Sequence, residues 1–196
     1  EFYKERSKMN KALLLVDIQN DYFPGGKMEL SGMAQAAENA RDLLNEFRNR
    51  QYPVYHIRHI SLNKGATFFL PDTVGAQIHE TVRPNQGETV IEKHFPNSFR
   101  DTSLLDLLKE EKTGELFICG AMSHMCIDAT TRAAFDFGFK CAVVEDACAT
   151  RSLLYRGQEI SAQSVHAAFM SALSSVYAKG LSALEAISAM NTSSLG

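Results

Sequence analysis

The first apolar run, Lys11-Ala-Leu-Leu-Leu-Val16, does not alternate between apolar and polar positions. That is the pattern of a strand buried on both faces of a parallel sheet. Polar Asp17, Gln19, Asn20 and Asp21 follow it, then the turn-forming Phe23-Pro-Gly-Gly26. From 33 to 50 the period changes. Ala36, Ala37, Ala40, Leu43, Leu44 and Phe47 recur at three- and four-residue spacing with charges opposite, which predicts an amphipathic helix. Pro53-Val-Tyr-His-Ile-Arg-His59 reads as a second strand. From Ser61 to about Glu88 the pattern lapses, with Pro71, Gly75, Pro84 and Gly87, and a loop this long in a compact domain is usually functional. Beyond it the periods alternate: a short strand over 89–92 ending at Lys93, a helix over 104–111, a strand over 116–119, and a helix over 126–137 stopped by Gly138. A strand over 141–145, a helix over 161–173, a strand over 175–178 and a helix over 181–189 complete the series. Strands alternating with helices predict an α/β fold, a three-layer αβα sandwich around a mainly parallel sheet.

A chain of 196 residues fits one domain, here expected over 9–190. Residues 1–8 show no period and are expected to be a cloning remnant or loose extension ahead of Met9, with 191–196 as a tail. The formal net charge of −3 comes from interspersed charges with no basic run, so a nucleic-acid partner is not expected. No apolar stretch approaches the roughly 18–20 residues of a membrane span. The N-terminus has no apolar signal region, so the expected location is the cytoplasm. The four cysteines, Cys119, Cys126, Cys141 and Cys148, form neither a C-x-x-C pair nor a His/Cys cluster at zinc spacing. Cys119 and Cys141 fall in strand-like runs as small buried hydrophobes.

In doubly wound sheets the ligand site lies beyond the C-terminal ends of the strands. Asp17 ends the first strand, Lys93 ends the strand near residue 90, and Cys126 opens the helix after the strand at 116–119. Unpaired N–H groups and the helix dipole at that position favour a thiolate and suit a developing oxyanion. Asp17 can serve as base and Lys93 as the charge that holds thiolate and carboxylate. The chemistry expected is attack of Cys126 on an amide-type carbonyl, with N–H groups around Met122 and Cys126 holding the oxyanion. Asp17 then protonates the leaving amine and activates water against the thioester. Around this trio, Phe23, Phe68, Phe69 and His59 are candidates for the pocket wall. His124 either lines the pocket or meets a neighbouring subunit. Ser123 either caps the helix or touches substrate, with capping the simpler role. His166, in an apolar helix, reads as structural.

Leu-Val-Asp17-Ile-Gln-Asn-Asp21, Glu92-Lys93-His-Phe-Pro-Asn-Ser98-Phe99 and Gly120-Ala-Met-Ser-His-Met-Cys126 resemble, in order, the three motifs of the isochorismatase-like cysteine hydrolase superfamily. Its members include nicotinamidases, N-carbamoyl amide hydrolases and isochorismatases. The resemblance spans roughly residues 10–180. It implies a six-stranded, Rossmann-like parallel sheet flanked by helices, Asp17 as base, Lys93 as its partner and Cys126 as nucleophile. It also implies a cis peptide between Ala121 and Met122 that turns the Met122 N–H toward the oxyanion. No organic cofactor is implied, and the partners implied are a small-molecule substrate and further copies of the chain, as dimer or tetramer. The Ala-rich helix over 161–173 is a candidate interface. Two departures matter. Nicotinamidases carry Asp-x-His after the second strand and bind a metal there, whereas this chain has His59-Ile-Ser61, so no metal is expected. Isochorismatases proper lack the cysteine that this chain keeps, which favours thioester chemistry at a carbon–nitrogen bond. A vinyl-ether hydrolase using Asp17 as general acid and a non-enzymatic binding module built on the fold remain the alternatives. A nucleotide-binding role is disfavoured because no G-x-G-x-x-G follows the first strand.

Overall fold

The computed structural model describes residues 10–191, so the expected N-terminal extension and nearly all of the expected tail lie outside the described residues. Six strands form one sheet: β1 (Asn10–Val16), β2 (Val54–His59), β3 (Thr89–Lys93), β4 (Thr113–Ala121), β5 (Lys140–Ala149) and β8 (Lys179–Leu181), in the order β3-β2-β1-β4-β5-β8. Every neighbouring pair is parallel. The order doubles back between β1 and β4, which makes their C-terminal ends the switch point where a crevice opens.

Burial follows the sequence pattern. Every residue of β1 after Asn10 is buried, whereas β3, at an edge, alternates exposed and buried positions. The unbroken apolar run therefore marks the centre of the sheet and the alternating one its margin. Inside that centre, Lys11 and Glu115 form a salt bridge of 2.9 Å with both side chains buried. Helix α1 (Met33–Asn49) turns Met33, Ala36, Ala37, Ala40, Leu43, Leu44 and Phe47 inward and packs against α5 (Ala183–Ala189). Helices α3 (Asp128–Asp136) and α4 (Ala162–Val176) pack against each other and β5. Because strands advance in opposite directions from the switch point, right-handed crossovers send α1 and α3 to opposite faces. Helix α2 (Leu104–Glu110) precedes β4. None of the described helices is long and apolar enough to cross a membrane.

Three segments differ from the sequence reading. Ser175 and Val176 extend α4, where Ser175 Oγ donates back to the Ala172 carbonyl at 2.7 Å, and the last strand lies instead at Lys179–Leu181. Val176 and Tyr177 favour strands, yet packing of the preceding helix overrides that preference. A hairpin of β6 (Leu153–Tyr155) and β7 (Gln158–Ile160) occupies a stretch that the pattern left unassigned. Its two central residues, Arg156 and Gly157, have φ of 51° and 81°, the positive values of a tight two-residue hairpin turn. The final helix begins at Ala183 rather than at 181, because Ser182 and Glu185 close a reciprocal capping box there.

The 61–88 segment is a tied-down loop. It holds single turns at Val74–Ala76 and Glu80–Val82, and the polar residues after β1 anchor it. Gln19 Nε2 donates to Ala76 O at 2.8 Å, Asn20 Nδ2 to Val74 O at 2.8 Å, and the Phe69 N–H donates to Asp21 Oδ2 at 2.7 Å. A Cβ on Gly75 would overlap the Asp21 carboxylate, so only glycine lets the loop lie this close.

Candidate active site

Asp17 leaves β1 with φ at 53°. This left-handed turn is uncommon for a residue other than glycine, and its backbone N–H is held by Ile57 O at 3.0 Å. Beside it, β4 passes at very close range. A Cβ on Gly120, whose φ is 123°, would stand 1.9 Å from Val16 O. Gly120 is thus a condition for the juxtaposition of the two strand ends.

Lys93 reaches the same point from β3. Its ammonium donates to Asp17 Oδ2 at 2.8 Å and contacts Cys126 Sγ at 3.3 Å, with His59 Nδ1 and Phe95 O each at 3.1 Å. Four acceptors surround three N–H bonds. The Asp17 and Lys93 side chains are fully buried. Burial alone would lower the Lys93 pKa, but the Asp17 carboxylate and Cys126 more than offset it and hold the ammonium above its ordinary value. Just beyond the Phe95 carbonyl, a buried hydroxyl pair holds the chain: Ser98 Oγ and Thr130 Oγ1 lie 2.8 Å apart, and Thr130 Oγ1 donates to Pro96 O at 3.4 Å. This network links the Pro96–Ser98 turn to α3.

Cys126 sits inside a wide turn, Ser123–Ile127, that precedes α3, and not in the first turn of the α-helix proper. Met122 O accepts from the N–H groups of both Met125 and Ile127, and the Ala121–Met122 peptide is cis. The electrostatics also differ from the sequence reading, which favours a thiolate. Burial first, and the adjacent Asp17 carboxylate second, push the Cys126 thiol well above its ordinary pKa, and Lys93 opposes them only in part. Asp17 Oδ1 is buried with no hydrogen-bond partner among the described residues, so it is free to accept a proton from the adjacent thiol. Burial and the Asp17 carboxylate thus favour the neutral S–H, and Lys93 opposes them.

His59 is clamped through its backbone. Its N–H donates to Gln19 Oε1 at 2.7 Å and its carbonyl accepts from Gln19 Nε2 at 2.9 Å. Burial lowers its pKa to about 4, so the ring is neutral at pH 7. Asp17, His59 and Cys126 each offer one metal-ligating atom, all within 4.8 Å of one another, but the Lys93 ammonium lies in contact with all three. The cation of this cluster is the lysine's own.

The remaining expected residues divide. Phe69 is fully buried with φ at 54° and packs with Phe68 and Tyr22, ring centroids 5.0 and 4.5 Å away. His59 lies 6.1 Å from the Phe69 ring, so these aromatics belong to the same cluster. Phe23 instead stacks on His79 at 3.5 Å. Ser123 does not cap a helix. Its hydroxyl pairs with His166 Nδ1 at 2.8 Å and Ala149 O at 3.4 Å, tying the cysteine turn to α4 and β5. His124 pairs with Thr150 Oγ1 at 2.6 Å and meets the edge of Phe169. Sequence reasoning missed Tyr22, which is 2% exposed and whose pKa burial and the nearby Asp17 carboxylate raise. Its place one residue beyond the Asp17–Asp21 motif is the signal that could have found it.

A fold with paired Asp and Lys and a cysteine at its switch point defines a class of hydrolases. The family model for the isochorismatase domain matches residues 11–175. The chain is 55% identical over 170 residues to the isochorismatase family protein YddQ of Bacillus subtilis, covering 87% of this chain and 94% of that one. It is 34% identical over 142 residues to a streptothricin hydrolase of Streptomyces noursei, covering 71% of this chain and 50% of the relative. The crystal structure of an isochorismatase hydrolase from Oleispira antarctica superposes with a TM-score of 0.89 at 50% identity, covering 93% and 98% of the two chains. The chain belongs to the isochorismatase family of hydrolases.

Proposed function

We propose that this protein hydrolyses a carbon–nitrogen bond of a small amide through a Cys126 thioester. The observation that carries the reading is the neutral, buried constellation in which one Asp17 oxygen is bound by Lys93 and the other is left for the Cys126 thiol. Relatives named for amide substrates support the choice of bond, among them the nicotinamidase of Escherichia coli at 27% identity and an N-carbamoylsarcosine amidase of an Arthrobacter at 27%.

Asp17 takes the thiol proton as sulfur bonds to the carbonyl carbon, so thiolate forms only as it is consumed. The carbonyl π electrons move to oxygen, and the Met122 and Cys126 N–H groups receive that oxyanion. Protonated Asp17 gives its proton to the nitrogen as the C–N bond breaks, and the amine departs. Water then adds to the thioester while Asp17 takes its proton. Collapse releases the carboxylic acid and returns the proton to sulfur. Lys93 keeps its proton throughout, compensating the carboxylate at rest and the oxyanion charge at the peak.

The test is a screen of small primary amides for ammonia release, run with wild type and Cys126→Ala, together with mass spectrometry of acyl-enzyme quenched in acid. Cys126-dependent ammonia release with an acyl adduct on the Cys126 peptide is expected. Full activity in Cys126→Ala, or cleavage of a vinyl ether without the thiol, overturns the reading.

A further inference from the structure

Two donors near Cys126 have no partner among the described residues. Lys93 can only donate, so its 3.1 Å contact makes His59 Nδ1 the acceptor and puts the ring proton on Nε2. That Nε2–H makes no hydrogen bond among the described residues, and the same holds for the Tyr22 hydroxyl. Neither atom is among the buried polar atoms sealed from solvent, although Tyr22 as a whole is only 2% exposed. The two rings flank Phe69, with centroids 4.5 Å from it for Tyr22 and 6.1 Å for His59. A tyrosine hydroxyl this enclosed ordinarily finds a partner. The Gln19 clamp on both backbone atoms of His59 fixes where its ring sits.

We propose that the His59 Nε2–H and the Tyr22 hydroxyl are substrate-positioning donors for a second oxygen acceptor, so that the substrate is a small amide bearing a carbonyl or carboxylate oxygen on its acyl side. The inference rests on Cys126 as the nucleophile. His59 thus has two faces: Nδ1 fixes the lysine, and Nε2–H reads the substrate.

The experiment measures Cys126 alkylation by iodoacetamide, whose carbonyl adjoins the attacked carbon, and by iodoethane, which has no acceptor. Both rates scale with the same thiolate fraction, so their ratio is independent of Cys126 pKa. Replacing Tyr22 by Phe removes one donor and leaves the ring. In His59→Asn the amide oxygen can still accept from Lys93 but the Nε2 donor is gone, whereas His59→Gln keeps a nitrogen donor near the Nε2 position. The ratio is expected to fall about 5-fold in Tyr22→Phe and in His59→Asn, the worth of one neutral hydrogen bond, and to stay near wild type in His59→Gln. A long-range 1H–15N spectrum of the wild type is expected to show His59 protonated on Nε2 at pH 7. A ratio unchanged within twofold in both Tyr22→Phe and His59→Asn overturns the inference, as does an Nδ1-protonated or doubly protonated His59 ring. Cys126-dependent ammonia release with an unchanged ratio removes this inference alone. A falling ratio in a protein that releases no ammonia upholds the two donors and removes the amidase reading together with the amide part of the proposed substrate class.

Discussion

Replacing Lys93 by Met isolates the role of its charge. The Lys93–Asp17 bond is 2.8 Å long and both side chains are 0% exposed. At that distance the attraction is about 6 kcal/mol with an effective dielectric near 20. Desolvating two ions costs several kcal/mol each, so the pair adds little net stability. Removing one partner leaves that cost without its compensation. Lys93→Met therefore loses about 3–5 kcal/mol of unfolding free energy, as does Asp17→Asn, which strands the ammonium. The double variant carries no buried charge at this pair and recovers most of the loss, so the two effects are far from additive. Urea unfolding at pH 7.5 reads this as midpoint shifts at constant slope. Single variants within about 1 kcal/mol of wild type, or a double variant that loses the sum of the two, would refute the reasoning.

Thiolate absorbance near 240 nm, titrated against pH, should show the Cys126 pKa falling in Asp17→Asn and rising in Lys93→Met, since those groups push it up and down respectively; the opposite order contradicts the electrostatic account. Gly120→Ala must move β4 away from Val16 O, 1.9 Å from the added carbon, and is expected to cost at least about 3 kcal/mol and to abolish turnover; a soluble variant with wild-type rates refutes the close-approach argument. His59 has a folded pKa of about 4 against about 6.5 unfolded, so between these values the unfolded state binds more protons and stability falls as pH drops from 6.5 to 4. The ring is partly exposed, which limits the loss to about 2 kcal/mol or less, and His59→Asn should flatten this part of the urea-midpoint curve; an unchanged slope assigns the titration elsewhere.

The sheet was legible because burial on both faces writes itself as unbroken apolar runs, Lys11–Val16 above all, and the strand ends that carry Asp17, Lys93 and Cys126 follow from the same runs. What pattern does not encode is desolvation. A helix start beside a lysine reads as a thiolate site, yet depth of burial and the facing carboxylate reverse the sign, and neither is visible from local sequence. Ser123 shows the same limit: it has the chemistry of a cap, and a partner 43 residues away, His166, claims its hydroxyl. Arg156–Gly157 did carry a local signal, since both central residues of a tight hairpin need positive φ, but the strands it joins are only three residues each, too short for a period to emerge. Tyr22 was passed over because an aromatic residue next to a polar motif looks like packing until its hydroxyl is found without a partner among the described residues.

The burial and the facing carboxylate that favour the Cys126 thiol have a consequence for its chemistry with oxidants. Peroxides and most electrophilic toxins consume thiolates and spare thiols. On the proposed mechanism, a thiol that gives up its proton only as a docked carbonyl accepts the sulfur meets oxidants mainly as S–H between turnovers. On that mechanism, a covalent inhibitor gains by carrying its warhead on an amide-like frame, whose carbonyl the site's donors would hold against the sulfur.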